Sequence, residues 1–359
     1  MQRIKSIDSF RGFIIALMVW SHACDWWLNS SSHWFFQVSY LFIDRTFGPG
    51  FLFISGISTA LNVKNKFSKL NTTQEFNKKV IKYEYFLRAL LILAVALIYN
   101  SFVALLFNDF LNVWKWFVLL TLSISLIVSW PMLQKSKTLK IFIAITIWIL
   151  NYYVFSFLSL YENQNNTNGL FFYIFYNSTN LEPILACFGF FLIGTVIGDF
   201  LIERKMIIKK SKLDNNKFFP LLISGLSLIA IGILFDYPSS FSVTSFSWIV
   251  FTLGVNISTL SIFVFFEEYV KFQHKKNYWF LYYFSYYSLT IYLAHSILYY
   301  LFLNMLNIVS FFFTIIPILM GIGLIFRMIH KTKLRRDLSI KSQIGKISSI
   351  LAKRLDTKF

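Results

Sequence analysis

The first apolar stretch of the chain carries more ionisable side chains than a plain membrane helix tolerates. The run SIDSFRGFIIALMVWSHACDWW holds Asp8, Arg11, His22 and Asp25. In a helix, Asp8 and Arg11 stand three residues apart and Arg11 and His22 eleven apart. At about 100° per residue both spacings return to one face. Arg11 and His22 then lie about 16 Å apart along the axis. Positions 8, 11, 15, 18, 22 and 25 make one stripe of Asp, Arg, Ile, Met, His and Asp. A histidine near a carboxylate offers a general base with an orienting partner. An arginine at the other end of the stripe offers a charge for a phosphate-bearing molecule. Taken singly, Arg11 fits a snorkelling topology anchor and His22 an interfacial histidine; sharing a stripe points both toward function.

Further candidates follow along the chain. A short connection after the first helix contains His33, Asp44 and Arg45. The next helix opens with Gly48-Pro49-Gly50 and continues FLFISGISTAL, where Gly56, Ser55 and Ser58 allow close backbone approach. Late in the chain, YYFSYYSLTIYLAHSILYYLF puts Ser288, Tyr292 and His295 on one face. His295 reads equally as a structural histidine or a site residue. Glu182 and Asp236 fall at outer helix ends. Asp199, Glu203, Glu267 and Glu268 fall among Lys and Arg at inner ends, where solvation is expected. His274 and His330 sit in basic segments and suggest no chemistry. The two cysteines, Cys24 and Cys187, lack zinc-ligand spacing, and the histidines form no metal set.

These residues need a scaffold, and composition says which. The chain of 359 residues is 57% hydrophobic, 20% aromatic and only 14% charged, against about 25% charged in soluble domains. The bilayer is the solvent that fits. Apolar runs near 10–28, 47–63, 86–107, 112–132, 140–160, 183–202, 218–235, 246–266, 280–302 and 308–329 predict an all-α polytopic membrane protein of about ten transmembrane helices. No cleavable signal peptide is expected, since the first run is too long and lacks a cleavage site. Numbering the connections alternately, one set carries 32 of the 34 Lys and Arg, and the other keeps only Arg45 and Lys115. That places both termini in the cytoplasm. The net charge of +18 then reads as topology and attraction to anionic lipid, not nucleic-acid binding. Residues 1–330 form the transmembrane domain. Residues 331–359 form a basic tail whose alternating apolar and basic residues predict a cytoplasmic surface anchor. The Asn-rich segment 161–181 contains an aromatic run, Gly169 to Tyr176, too short to span. Small-residue faces allow a homo-oligomer. The bias to Lys, Asn and Phe suggests a microbial cell membrane.

At these residues the chain resembles the transmembrane acyltransferase superfamily, which includes the acyltransferase-3 enzymes and heparan-α-glucosaminide N-acetyltransferase. RIKSIDSFRGFIIALMVWSHACDWW resembles the superfamily's first helix. Arg, ten residues, then His is the hallmark of the acyltransferase-3 branch, matched by Arg11 and His22. FGPGFLFISGISTAL and LEPILACFGFFLIGTVIGDFL are similar to segments of the N-acetyltransferase branch, although Ile184 stands where that branch often has Trp after Pro183. YPSSFSVTSFSWIVFTLGVN and YSLTIYLAHSILYY resemble its later segments. The blocks run in order from residue 3 to about 303.

The resemblance implies transfer of an acyl group, usually acetyl from acetyl-CoA as co-substrate, to a hydroxyl or amine of an extracytoplasmic sugar or glycoconjugate. In the acyltransferase-3 branch the histidine matching His22 is catalytic. In the heparan branch that position is Asn, and the reactive histidine lies in the following loop, about where His33 stands. Both remain open, with Asp25 and Asp44 as orienting carboxylates. Arg11 with Asp8, and Ser55 and His295, are the candidates on the acyl-CoA side. The rival reading is a proton-coupled transporter or exporter of a sugar-like or lipid-linked substrate, which intramembrane Asp, Arg and His would also suit.

Overall fold

In hydrocarbon each backbone amide must find its partner within its own segment, so long apolar runs fold as helices. The computed structural model describes residues 4–70, 77–106, 108–177, 181–210, 218–238, 245–268 and 280–356. His274 lies outside them. Among the described residues there are fourteen α-helices and no strand. Seven helical stretches are long and apolar enough to cross a bilayer. The sequence also counts α1 (Lys5–Trp27), α9 (Phe218–Leu234) and the 280–302 segment. α1 is less apolar because Arg11, His22 and Asp25 interrupt it, and α9 is only 17 residues long. The third is broken, as described below.

α1 is threaded through the middle of the molecule. Phe10, Ile14, Ala23, Cys24 and Trp27 are fully buried. It packs on α3 (Arg45–Leu70), α10 (Phe246–Glu268) and α11 (Phe280–Tyr286). Its first free amides, Lys5 and Ser6, donate to the Glu267 carboxylate at 3.0 and 2.7 Å. A carboxylate there satisfies amides that have no partner in the helix and complements the helix dipole. Glu267 is therefore a cap, not the solvated residue its basic context predicts.

α3 crosses α8 (Ile184–Lys210) at close quarters. Gly56 of α3 faces the Phe191 carbonyl, and Gly194 of α8 faces the Phe53 carbonyl. Neither glycine has room for a Cβ. At one end of this crossing the buried Asp199 meets Lys64 at 2.9 Å and the fully buried Lys140 of α6 (Lys137–Leu158) at 2.7 Å. Asp199 thus ties three helices together, again where solvation was expected. Outward faces are apolar: Ile98, Phe313 and Leu234 are 70%, 79% and 82% exposed. Lipid covers such faces at no cost.

Two departures from regular helix bear on function. The connection after α1 is itself helical: α2 (His33–Ser39) runs through a π-helical turn, Tyr40–Asp44, into α3. π-turns of this kind concentrate at functional sites, and this one delivers Asp44 and Arg45. The 280–302 segment divides into α11, α12 (Ser288–Ala294) and a 3-10 turn from His295 to Tyr300. Irregular backbone at membrane depth is tolerated where it is buried in protein or lines a cavity. α14 (Ile340–Asp356) lies against α4 (Lys78–Leu106) and α12.

Candidate active site

Two cavities lie along α1. The larger, about 300 Å³, surrounds Arg11. The smaller, about 90 Å³, surrounds His22. They share Phe51, Val118 and Tyr292 as a common wall. The separation of Arg11 and His22 along one stripe thus puts each in its own chamber.

The larger cavity is cationic. Among the described residues, Arg11, Lys66, Arg88 and Lys341 line it with one carboxylate, Glu84, which is bound to Lys66 at 2.5 Å. The Arg11 guanidinium donates to Ser58 Oγ, which in turn donates to the Ile54 carbonyl at 2.7 Å. Asp8 stands 3.7 Å from Arg11 and accepts from Ser285 Oγ at 3.4 Å. Asp8 therefore orients Arg11 from behind. Ser55 lines the cavity. The connection 64–88, with its seven Lys and Arg, leads one to expect attraction of acyl-CoA phosphates there, but no spacing within it singles out Lys66, Glu84 or Arg88.

The smaller cavity carries acid–base groups. His22, Asp44 and Glu182 line it with Met18, Gly48 and Phe117. Asp44 accepts a hydrogen bond from Ser21 and interacts with Arg45. Glu182 precedes α8 and is held by its backbone: its N–H donates to the Trp116 carbonyl at 3.1 Å, and its carbonyl accepts from Thr121 Oγ1 at 2.5 Å. Burial, reinforced by Asp44 and offset in part by Arg45, pushes the Glu182 carboxyl up to about 8. Glu182, which the sequence places only at a helix end, thus joins His22 and Asp44 in the lining of this chamber.

Behind His22 stands His295, with ring centroids 5.0 Å apart. Trp26 stacks on both imidazoles, at 5.4 and 5.8 Å. His295 is buried and its Nδ1 meets the Tyr292 carbonyl. That contact puts the proton on Nδ1 and leaves Nε2 as the acceptor. His295 therefore belongs with His22, away from Arg11. His33 stands in a second group. Its Nε2 is 3.6 Å from Asp25, both side chains are about two-fifths exposed at 39% and 41%, and its ring lies against Phe36. The structure brings His22 together with Asp44, and His33 with Asp25. No group of three or more His, Cys, Asp or Glu suited to a metal occurs among the described residues.

Fold and site define a class: an all-helical polytopic membrane protein with a cationic chamber and an acid–base chamber inside its bundle. Residues 3–231, well over half of the chain, match the family described as heparan-alpha-glucosaminide N-acetyltransferase, catalytic. The chain belongs to that family, and its function is of the membrane acetyltransferase type. No curated protein and no solved structure matches it. The matched range contains Arg11, His22, His33, Asp44 and Glu182, and ends before Tyr292, His295 and Lys341.

Proposed function

We propose that the protein transfers an acetyl group from cytoplasmic acetyl-CoA to an amine or hydroxyl of an extracytoplasmic sugar-like acceptor, with both termini in the cytoplasm. The observation that carries this reading is the pair of adjoining chambers, one lined by four cations and the other by an imidazole and two carboxylates. The nucleotide phosphates of the donor meet Arg11, Lys66 and Arg88, and the pantetheine arm points past Ser55 toward the shared wall. The acceptor enters the smaller chamber.

His22 takes a proton from the acceptor as its nitrogen or oxygen attacks the thioester carbonyl. The tetrahedral intermediate collapses, the C–S bond breaks, and the imidazolium returns the proton to the CoA thiolate. Asp44 stabilises the charged chamber while this happens, and His295 and Trp26 hold the His22 ring. General-base help of this kind is worth about 10²–10⁴-fold.

A second assignment within the same reaction is favoured by the His33–Asp25 pair, an imidazole held by a carboxylate at the outer surface. Single His22→Gln and His33→Gln proteins, given acetyl-CoA and glucosamine, separate the two. Loss of about 10²-fold or more in turnover on His22→Gln alone supports His22; the same loss on His33→Gln alone moves the base to His33. Full activity in both ends the general-base reading. Proton-dependent uptake of an amino sugar with no acetyl transfer would replace the enzyme by a carrier.

A further inference from the structure

The C-terminal helix reads in sequence as a surface anchor, yet one of its lysines enters the larger chamber. Lys341, in the first turn of α14, lines that cavity beside Arg11, Lys66 and Arg88. Its Nζ donates to the Ser285 carbonyl at 3.4 Å. Ser285 in turn reaches Asp8, and Asp8 reaches Arg11. A chain of polar contacts thus runs from the tail to the arginine of α1.

The helix is seated firmly enough to hold that position. Ile344, Ser348 and Ala352 form a buried face. Ahead of it, Ser339 Oγ donates to the Tyr286 carbonyl at 3.2 Å, and Thr290 Oγ1 donates to the Leu338 carbonyl at 2.8 Å. The Ile340 amide donates back to Thr290 Oγ1 at 3.3 Å. These bonds go to the broken stretch α11–α12, whose Ser288 and Tyr292 line the same chamber. The other cations of α14, Lys346, Lys353 and Arg354, are exposed. Charge argues in the same direction. Four cations converge against two carboxylates, Glu84 bound by Lys66 and Asp8 behind Arg11, which leaves an excess of two positive charges. Such an excess in a partly dehydrated space is unfavourable until an anion enters.

We propose that α14 is a wall of the donor site and that Lys341 binds the phosphate groups of acyl-CoA, so that the tail acts in donor recognition. This rests on the reading that the larger chamber receives acyl-CoA. The tail lies beyond the residues that match the family.

The test uses the purified full-length protein and CoA itself, with affinity measured by titration calorimetry at two salt concentrations. Lys341→Ala is expected to weaken CoA about tenfold, the worth of one hydrogen bond to a charged group, and to flatten the salt dependence. Lys341→Arg keeps the charge and binds within a few-fold of wild type. Lys346→Ala, a change on the exposed face, binds as wild type. Unliganded melting temperatures of all three variants match wild type, which separates ligand recognition from folding. CoA binding by Lys341→Ala equal to wild type overturns the inference and leaves the donor reading standing, as does an equal loss in Lys346→Ala. Absence of saturable CoA binding in the wild type removes the donor reading and the inference with it.

Discussion

Glu182 shares the smaller chamber with Asp44 in apolar surroundings, and an ionised carboxyl there is costly. Its folded value of about 8, against an ordinary 4.5, means that the fold prefers the neutral acid. The sign follows. Below about 4.5 the residue is neutral in both folded and unfolded chains. Between about 4.5 and 8 the unfolded chain loses the proton that the fold keeps, so stability falls as pH rises, and it levels off above 8. The melting temperature of the wild type in detergent is expected to decline across this range. Glu182→Gln lacks that decline and melts on the order of a few degrees higher than wild type at pH 8.5. Parallel curves for the two proteins would assign the carboxyl to a solvated position. Spacing alone revealed Arg11 and His22, because both lie on one helix and a single period relates them. It did not reveal Glu182, since only the tertiary fold carries the start of α8 to the end of the π-turn. Nor did it reveal the convergence of Lys66, Arg88 and Lys341, which lie on three different helices.

At the scale of helices, the glycines mark where backbones meet. Gly56 and Gly194 each leave space for a carbonyl of the opposite helix, so α3 and α8 pack with almost no side chain between them. Dispersion at such short range substitutes for the hydrophobic effect, which lipid cannot supply between helices. A leucine at 194 has to push the Phe53 carbonyl aside. Gly194→Leu is expected to destabilise by about 1–3 kcal/mol or more and to lower the melting temperature accordingly. Gly321→Leu is the matched control, because nothing approaches that position, and it is expected to melt as wild type. Equal melting of the two variants would disprove the close crossing. The small-residue pattern of FISGISTAL announced such a contact but not its partner, because any helix with a small face satisfies the same pattern. The π-turn before Arg45 and the break at Tyr287 left no trace in the sequence. Tyr40 to Ile43 in the one and Tyr286 and Tyr287 in the other are residues that a regular helix also accepts, and a shift from i→i+4 to another hydrogen-bond pattern changes no residue type.

For the molecule as a whole, the question is whether two chambers act as one passage. Among the described residues they share Phe51, Val118 and Tyr292. If the acetyl thioester reaches His22 from the cationic side, it passes this wall. Val118 starts α5 (Val118–Ser129) and is the smallest of the three side chains. Enlarging it narrows the passage without touching a cation or an acid–base group. Val118→Trp is therefore expected to bind CoA within a few-fold of wild type yet to transfer acetyl at least tenfold more slowly. His22→Gln also keeps CoA binding and loses transfer, because it removes the base. Val118→Ala leaves every ionisable group in place and widens the wall, and it is expected to transfer acetyl at the wild-type rate or faster. Loss in Val118→Trp with full transfer in Val118→Ala therefore identifies a blocked passage. Glucosamine acetylation by Val118→Trp at the full rate would mean that donor and acceptor meet on one side of the wall, with the smaller chamber outside the reaction path.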